Sequence, residues 1–439
     1  MLKWVYLSVV LLAIVPIWSQ VVSPVIGSNG DEMITPPPVS GEAYSTEVGS
    51  ETRSNYLRGG LIFETAYINN LYPGNGTPIS ETTYSILPTI SFDQTTARYR
   101  RRFTYSPGFI FYQPSSALNE IDHNALLAYR YRLTPHASVS VSDSFQKSQT
   151  SFGLAHSSAD WPVSGSPPLM VPGIVAPFGE RVTNNAAAQF AVQYSLSGMI
   201  GGSGTFMKLY YPDPAEVSGL YDADERSGSA FYSRRISPTQ YAGANYQYAR
   251  ILAYPVDAPS ETQTHAIYAF YTIYPTRGLS ISISGGSQHY SVAQTSSPTT
   301  SSWEPIVMAS IGWQGRRTNV AASYVRQTTA GGGVVGAYRS NSANASGRWQ
   351  VSRTWTIGTG ASYANNKSVN PLLVGAIPGG RSFAVVATVE HPLNRRITLG
   401  FNYDHEYQRY NDIPVFSSNP TSDRGMVSLS WQFTRPLGR

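Results

Sequence analysis

The sequence predicts an all-β fold: a transmembrane antiparallel up-and-down β-barrel of about 18 strands, with 16 as the alternative count. Segments of roughly ten residues alternate apolar and small polar side chains. Short turns alternate along the chain with longer loops rich in Ser, Gly, Thr, Pro and Asn. Charged residues make up only 13% of the chain, whereas Tyr (30) and Gly (38) are abundant. Such a composition is unlike that of a soluble domain.

The alternation is clearest in three segments. In TWTIGTGASY, the side chains of Trp355, Ile357 and Tyr363 share one face, and small residues occupy the other. GLSISIS and ITLGFNYD repeat the pattern, with large apolar residues opposite small or polar ones. Because successive side chains of a strand point to opposite faces, one face suits lipid and the other suits water. Small polar residues on the inner face leave room for a lumen.

Segmentation of the whole chain gives the strand count. The predicted strands lie at about 59–70, 84–93, 97–112, 122–133, 136–148, 187–197, 200–211, 229–236, 239–252, 262–274, 278–291, 304–313, 317–328, 341–351, 354–365, 381–390, 395–408 and 424–433. An even count places both termini on the periplasmic side, with short turns there and long loops outside. The segmentation also allows one pair of strands fewer, which gives 16, especially if 59–70 is not a barrel strand.

Two segments precede the expected barrel. Residues 1–19 are interpreted as a secretory signal peptide, because Lys3 precedes a short apolar run and small residues follow it. An uncleaved anchor is the alternative, since Ile17 occupies a position where Ala is usual before a cleavage site after Ser19. Residues 20–56 are rich in Pro, Ser, Gly and Glu and predict a disordered periplasmic lead-in.

The barrel is expected over 57–433, followed by a C-terminal tail at 434–439. The chain has no second run of ~18 apolar residues, so no transmembrane helix is expected after the first segment. It has no cysteine, which excludes disulfides and thiol chemistry. Only four of its 31 basic residues are lysines. This bias towards arginine suggests bidentate pairing rather than positive charge alone.

The C-terminal segment MVSLSWQF has the strictest local pattern. Val427, Leu429, Trp431 and Phe433 alternate with small or polar residues. The segment resembles the terminal β-signal by which the insertion machinery recognises outer-membrane barrels. In that pattern the chain usually stops at the aromatic residue, whereas TRPLGR continues here to Arg439.

With these motifs in place, the span 57–433 resembles the porin-type barrels of Gram-negative bacteria. LPTISF, YSPGFIFY and YRYRLTPHASVSVSDSF are similar to segments of porins associated with exopolysaccharide export. The resemblance implies a protein located in the bacterial outer membrane, surrounded by its lipid. It also implies a link with exopolysaccharide.

Basic residues alternate on two neighbouring strands and provide the first candidate site. Five of them are expected to line the lumen: Arg98, Arg100, Arg102, Arg130 and Arg132. Charged rings in a pore select ions by sign, and guanidinium groups bind carboxylates and phosphates, so this pattern favours an anionic path. Alternatively, inward carboxylates such as Glu64, Asp93, Asp404 or Glu406 pair with the arginines and form a rigid wall. Arg101 breaks the alternation and is expected at the membrane interface.

The segment 149–186 is long and unusually apolar for an exposed loop. We expect it to fold into the barrel and narrow the channel, with Trp161, Met170 and Phe178 as candidates for the constriction. A compact loop packed on the outer rim is the alternative.

Other functions find little support in the sequence. Asp122-His123-Asn124 and Asp404-His405-Glu406 combine His with acids, but sequence neighbours on a strand point to opposite faces and form no relay. The scattered His residues lack ligand spacing, so no metal or other cofactor is expected. A net charge of +5 is too small and too dispersed to favour nucleic-acid binding. A soluble β-sandwich would need more charge on its surface.

Two hypotheses of function remain. The first is a passive pore for hydrophilic solutes, among them small anions or glycans. The second is a non-conducting structural or export component of an exopolysaccharide or envelope assembly. The sequence does not specify the oligomeric state or the solute.

Overall fold

The structure is a computed structural model, and it describes residues 33, 54–71, 78–150, 178–215, 217, 219–255, 259–276, 278–294, 297–330, 337–369, 379–411 and 421–436. These residues form one sheet of 18 antiparallel strands, which confirms the predicted fold class and strand number. In the described residues, no helix has the length and apolar character needed to cross a membrane.

The strands are β1 (Ser54–Ile68), β2 (Glu81–Thr95), β3 (Tyr99–Gln113), β4 (Glu120–Thr134), β5 (Ala137–Thr150), β6 (Phe178–Ser195), β7 (Gly198–Tyr210), β8 (Ala223–Ser237), β9 (Gln240–Ala253), β10 (Ser260–Thr276), β11 (Leu279–Gln294), β12 (Ser297–Gln314), β13 (Thr318–Ala330), β14 (Ala337–Gln350), β15 (Thr356–Ser368), β16 (Gly379–Pro392), β17 (Ile397–Asn411) and β18 (Thr421–Pro436). A short 3-10 helix, Ser116–Leu118, lies between β3 and β4.

The sheet closes on itself. Each strand pairs with its neighbours in sequence, and β1 also pairs with β18, where Gly59 lies opposite Phe433 and Ile68 opposite Arg424. Because the first and last strands satisfy each other's backbone groups, the described sheet has no open edge. A closed sheet can cross a bilayer, since no backbone donor or acceptor of its ladders is left facing lipid.

The two faces of the strands differ in chemistry. In β11, Ile281 and Ile283 point outward and are 37% and 56% exposed, whereas Ser280, Ser282 and Ser284 on the other face are buried. β15 and β17 show the same alternation of exposed and buried positions. The outward faces form an apolar band suited to hydrocarbon, and the inward faces line a lumen.

Hydroxyl groups pair across neighbouring strands on the luminal face. The side-chain oxygens of Thr272 and Ser282 lie 2.9 Å apart. Further pairs join β2 to β3 and β7 to β8: Thr89–Ser106, Ser91–Thr104, Ser203–Ser229 and Thr205–Ser227. Each such pair contributes about 0.2–1 kcal/mol relative to a pair of alanines. Small side chains thus stabilise the wall without filling the interior.

The connections differ in length at the two ends of the barrel. Short ones such as 135–136, 196–197 and 238–239 lie at one end, which we call the turn end. Longer ones, such as 211–222, lie at the other, the loop end. In outer-membrane barrels short turns face the periplasm and long loops face outward, so the turn end is periplasmic.

Several strands are longer than the sequence pattern predicts. Loops are expected over 149–186 and 292–303, but β6 already begins at Phe178 and β12 at Ser297. Phe178 pairs with Thr150. The reason is that hairpins extending beyond the membrane need backbone pairing but no apolar outer face. The Ser- and Thr-rich start of β12 and the polar start of β6 therefore resemble loop sequences.

The barrel also extends slightly beyond 57–433. β1 starts at Ser54, and β18 continues to Pro436, which lies opposite Tyr56. Residues 434–436, expected in a tail, therefore continue the last strand because β1 offers them backbone partners. The expected signal peptide, 1–19, lies outside the described residues, and of the lead-in before β1 only Met33 is described.

Candidate functional site in the lumen

Arginine side chains lie together on the wall formed by β3 and β4. Arg102 shares its face of β3 with the buried Thr104. Its Nη2 lies 3.3 Å from Oδ2 of Asp93 on β2, a carboxylate that is itself buried. In the register of β3 and β4, Arg100 lies opposite Arg130. The two strands thereby place three of the predicted arginines next to one another.

Arg98 and Arg132 continue this surface at the turn end. The backbone N–H of Arg132 donates to the carbonyl oxygen of Arg98 at 2.7 Å. Arg130 and Arg132 line a small cavity that Gln193 and Met199 also line from β6 and β7. We call the surface formed by Arg98, Arg100, Arg102, Arg130 and Arg132 the arginine face.

The carboxylates proposed as partners of this face are distributed around the barrel. Asp93 pairs with Arg102, whereas Glu64 pairs with Arg424 on β18. Asp404 and Glu406 are buried on the luminal side of β17. The ion pair between Asp93 and Arg102 supports, for Arg102, the alternative in which inward carboxylates pair with the arginines and form a rigid wall.

Arg101 points to the opposite side of β3. Its guanidinium lies 5.0 Å from the ring centre of Phe92 and 5.6 Å from that of Tyr99. Its Nε donates to the side-chain carbonyl of Gln94 at 2.6 Å. An outward arginine near the turn end can rest on aromatic rings and keep its charge at the membrane interface.

Apolar side chains cross the lumen at the loop end. Tyr211, Val217 and Leu220 belong to the connection between β7 and β8 and are almost fully buried. They pack with Tyr338 of β14 and Tyr410 of β17. In the strand order, β17 lies on the far side of the closed sheet from β7. The full set, which we call the loop-end cluster, is Leu209, Tyr211, Val217, Leu220, Ala223, Tyr338 and Tyr410.

Polar contacts hold this connection in place. The backbone N–H of Tyr211 donates to Oδ1 of Asp222 at 2.9 Å. Gly219 has a φ of 90°, a left-handed conformation that glycine adopts without strain. Asn366 Nδ2 donates to the hydroxyl of Tyr410 at 3.2 Å. Burial raises the pKa of Tyr211 to about 12, so its hydroxyl stays neutral at physiological pH.

The structure describes only the backbone of one of the three residues predicted to form a constriction, Phe178. Trp161 and Met170 lie outside the described residues. Phe178 is the first residue of β6 rather than part of a loop. The loop-end cluster comes from a different connection, 211–222, whose apolar content is close to the average of the chain, so hydrophobicity alone did not identify it. The sequence signal for this cluster is two consecutive tyrosines, Tyr210 and Tyr211, at the end of a predicted strand.

The predicted β-signal forms the outer face of β18. Val427, Leu429 and Trp431 are exposed on the lipid-facing side. The ring of Phe433 lies over Gly59 of β1, where an added Cβ would come 2.2 Å from its Cε1. β18 therefore presents an apolar face to lipid and packs closely on β1.

The histidines of the two His-plus-acid clusters, His123 and His405, lie on the outer face of the barrel, opposite to their acidic neighbours. The hydroxyl of Tyr105, on the outer side of β3, lies 3.0 Å from Nδ1 of His123. His405 Nδ1 lies 2.7 Å from Oδ1 of Asp423, and the hydroxyl of Tyr403 donates to the same oxygen at 2.6 Å. Within the described ranges, no group of three His, Asp or Glu side chains could hold a metal ion.

No family model and no curated protein matches this sequence. Solved structures with a similar barrel include the ferric citrate transporter FecA in the unliganded form, with a TM-score of 0.45, 10% identity and coverage of 88% of this chain and 80% of that one. Pseudomonas aeruginosa OccK2 (OpdF) has a TM-score of 0.43, 11% identity and coverage of 87% and 98%. Acinetobacter baumannii OccAB3 has a TM-score of 0.42, 9% identity and coverage of 87% and 99%. These values are too low to carry an argument about function.

The chain's own geometry defines its class. A closed sheet of 18 strands, an apolar outer band and a small polar inner wall describe an outer-membrane β-barrel protein of the Gram-negative type. Its place is the outer membrane, in contact with lipid.

Proposed function

We propose that this protein is an outer-membrane channel for hydrophilic solutes, and that its lumen favours anionic ones, including acidic glycans. The observation that supports this proposal is the arginine face, where Arg98 in the turn before β3 and four arginines on β3 and β4 lie together near the turn end. Guanidinium groups bind carboxylates and phosphates bidentately. A concentration of one sign of charge in a narrow aqueous path attracts counter-ions and repels ions of like sign.

Single-channel recording in planar bilayers tests the proposal. The variant carries Arg98, Arg100, Arg102, Arg130 and Arg132 changed to Ser. We expect the native channel to prefer chloride over potassium, and the variant to lose most of that preference. Arg101→Ser is the matched control, because it removes the same charge from the outer face of the same strand. Equal selectivity in the native and five-residue variants would contradict the role of the arginine face.

A second function is favoured by the loop-end cluster. Val217 and Tyr338 are completely buried where the lumen should open to the outside. Such packing supports a non-conducting structural or export component, for example one that opens only within an exopolysaccharide assembly. Correctly folded native protein without conductance would favour this second candidate over an open channel.

A further inference from the structure

Met33 lies far ahead of β1 in sequence, yet its side chain is buried against the luminal wall. Only 4% of its surface is exposed. Its neighbours come from β6 to β10 at the turn end: Ala191, Met199, Phe231, Tyr241 and Tyr274. We call these five residues together with Gln193 the Met33 pocket.

A specific polar contact anchors the residue. The backbone N–H of Met33 donates to Oε1 of Gln193 at 3.0 Å, in a buried hydrogen bond between residues 160 positions apart. Gln193 is itself buried, and its own backbone N–H donates to the carbonyl oxygen of His136 in the adjacent turn. A hydrogen bond to the backbone fixes the position of the chain, not only the side chain of the methionine.

The pocket is built to receive an apolar group. Tyr241 and Tyr274 meet edge to face, with ring centres 6.1 Å apart. The ring of Phe231 lies over Gly201, where an added Cβ would come 2.5 Å from it. A thioether fits an aromatic site of this kind and interacts favourably with the ring edges. Burial of a whole methionine side chain contributes about 1.5–3 kcal/mol.

The Met33 pocket lies at a point of the barrel where a docked residue affects the width of the channel. Met33 lines the same small cavity as Arg130 and Arg132, so it lies at the mouth that the arginine face also lines. Elsewhere the wall carries small hydroxyl residues that leave space. Met33 at this point occupies part of the cross-section through which a solute must pass.

We propose that Met33 is an internal obstruction of the channel: it docks on the Met33 pocket and narrows the periplasmic mouth beside the arginine face. Narrowing of the mouth matters only in a conducting lumen, so this proposal rests on the channel function proposed above. The docking itself does not require conductance and is tested separately.

Engineered cysteines test the docking, because the natural chain has none. Met33→Cys is combined with Met199→Cys in the full chain, and outer membranes are treated with an oxidant or a short bis-maleimide. We expect an intramolecular cross-link that changes migration on non-reducing gels. Met33→Cys with Ile200→Cys is the matched control, since Ile200 is the next residue of β7 but is exposed on the lipid-facing side. Absence of the first cross-link, or equal yields in both pairs, would overturn the docking.

Conductance tests the obstruction. Met33→Ser keeps the backbone donor but loses the apolar contact, and we expect about a twofold or larger rise in single-channel conductance. Heat-modifiable migration on gels verifies that each variant is a folded barrel. A specific cross-link with unchanged conductance in Met33→Ser would overturn the narrowing. A specific cross-link with no conductance in either protein would count against the proposed channel but leave the docking intact.

Discussion

The buried ion pair between Glu64 and Arg424 joins the first strand to the last. Arg424 Nη2 lies 2.5 Å from Glu64 Oε1, and both side chains are almost completely buried. Next to them, Asn69 Nδ2 donates to Oδ2 of Asp423 at 2.7 Å, and the backbone N–H of Asp423 donates to Oδ1 of Asn69 at 2.8 Å. These contacts stabilise the pairing of β1 with β18, which closes the sheet.

Removal of one partner of this pair is expected to destabilise the barrel. Glu64→Ala leaves the buried guanidinium without its carboxylate and should lower the free energy of unfolding by about 3–5 kcal/mol. The double variant Glu64→Leu/Arg424→Met buries no charge and should recover most of the loss. Urea unfolding of the refolded proteins in lipid vesicles measures both values. Equal destabilisation in the single and double variants would contradict a pairing role.

The close approach of Phe433 on β18 to Gly59 on β1 gives a second prediction for the pairing of these two strands. A side chain at Gly59 would overlap the aromatic ring, so Gly59→Val should lower the yield of folded, heat-modifiable barrel in outer membranes. Gly59→Val combined with Phe433→Ala removes the overlap and should restore part of the yield. Gly60→Val is the control, because an added Cβ there has its nearest contact at 3.3 Å. A normal yield from Gly59→Val alone would contradict the prediction.

Single-residue roles were predictable only where periodicity determines them. Alternation along β3 separates Arg100 and Arg102 from Arg101, and the structure places them on opposite faces. The partnership of Glu64 with Arg424 was not predictable, because it depends on the register between the first and last strands. No local pattern specifies a register between segments so distant in sequence.

At the scale of elements, the connection between β7 and β8 is the feature with the clearest test. Val217→Asp would place a carboxylate among buried aromatic rings, which is unfavourable without a partner. We expect the connection to leave the lumen and the conductance to rise. Ala215→Asp adds the same charge at an exposed position of the same connection and should leave the conductance unchanged. If both variants conduct like the native protein, the loop-end cluster does not obstruct the lumen.

The strands themselves were predictable because each must satisfy lipid on one side and water on the other. That requirement ends at the membrane surface, which explains why β6 and β12 extend beyond their predicted bounds. The loop-end cluster was not predictable for a related reason. A segment that folds into the lumen packs on residues from distant strands, and its own sequence need not be strongly apolar.

At the scale of the whole molecule, the chemistry of the lumen changes from end to end. Apolar side chains gather at the loop end around Val217 and at the turn end around Met33, and paired hydroxyl groups line parts of the wall between them. The arginine face borders the turn-end zone. Sequence alternation predicts the hydroxyl-lined wall, but it cannot predict the two apolar zones, because each combines a segment outside the regular strands with several strands of the sheet.

The pairing of β1 with β18 has a consequence for biogenesis. Among the described strands, the one that covers the edge of β1 is the last to be synthesised. A chain cut short anywhere before β18 would keep two uncovered edges, which invite pairing with other chains and cannot be hidden in lipid. Synthesis of β18 and burial of the two edges are thus coupled, so the architecture distinguishes a closed barrel from a truncated one before either is stably inserted in the membrane.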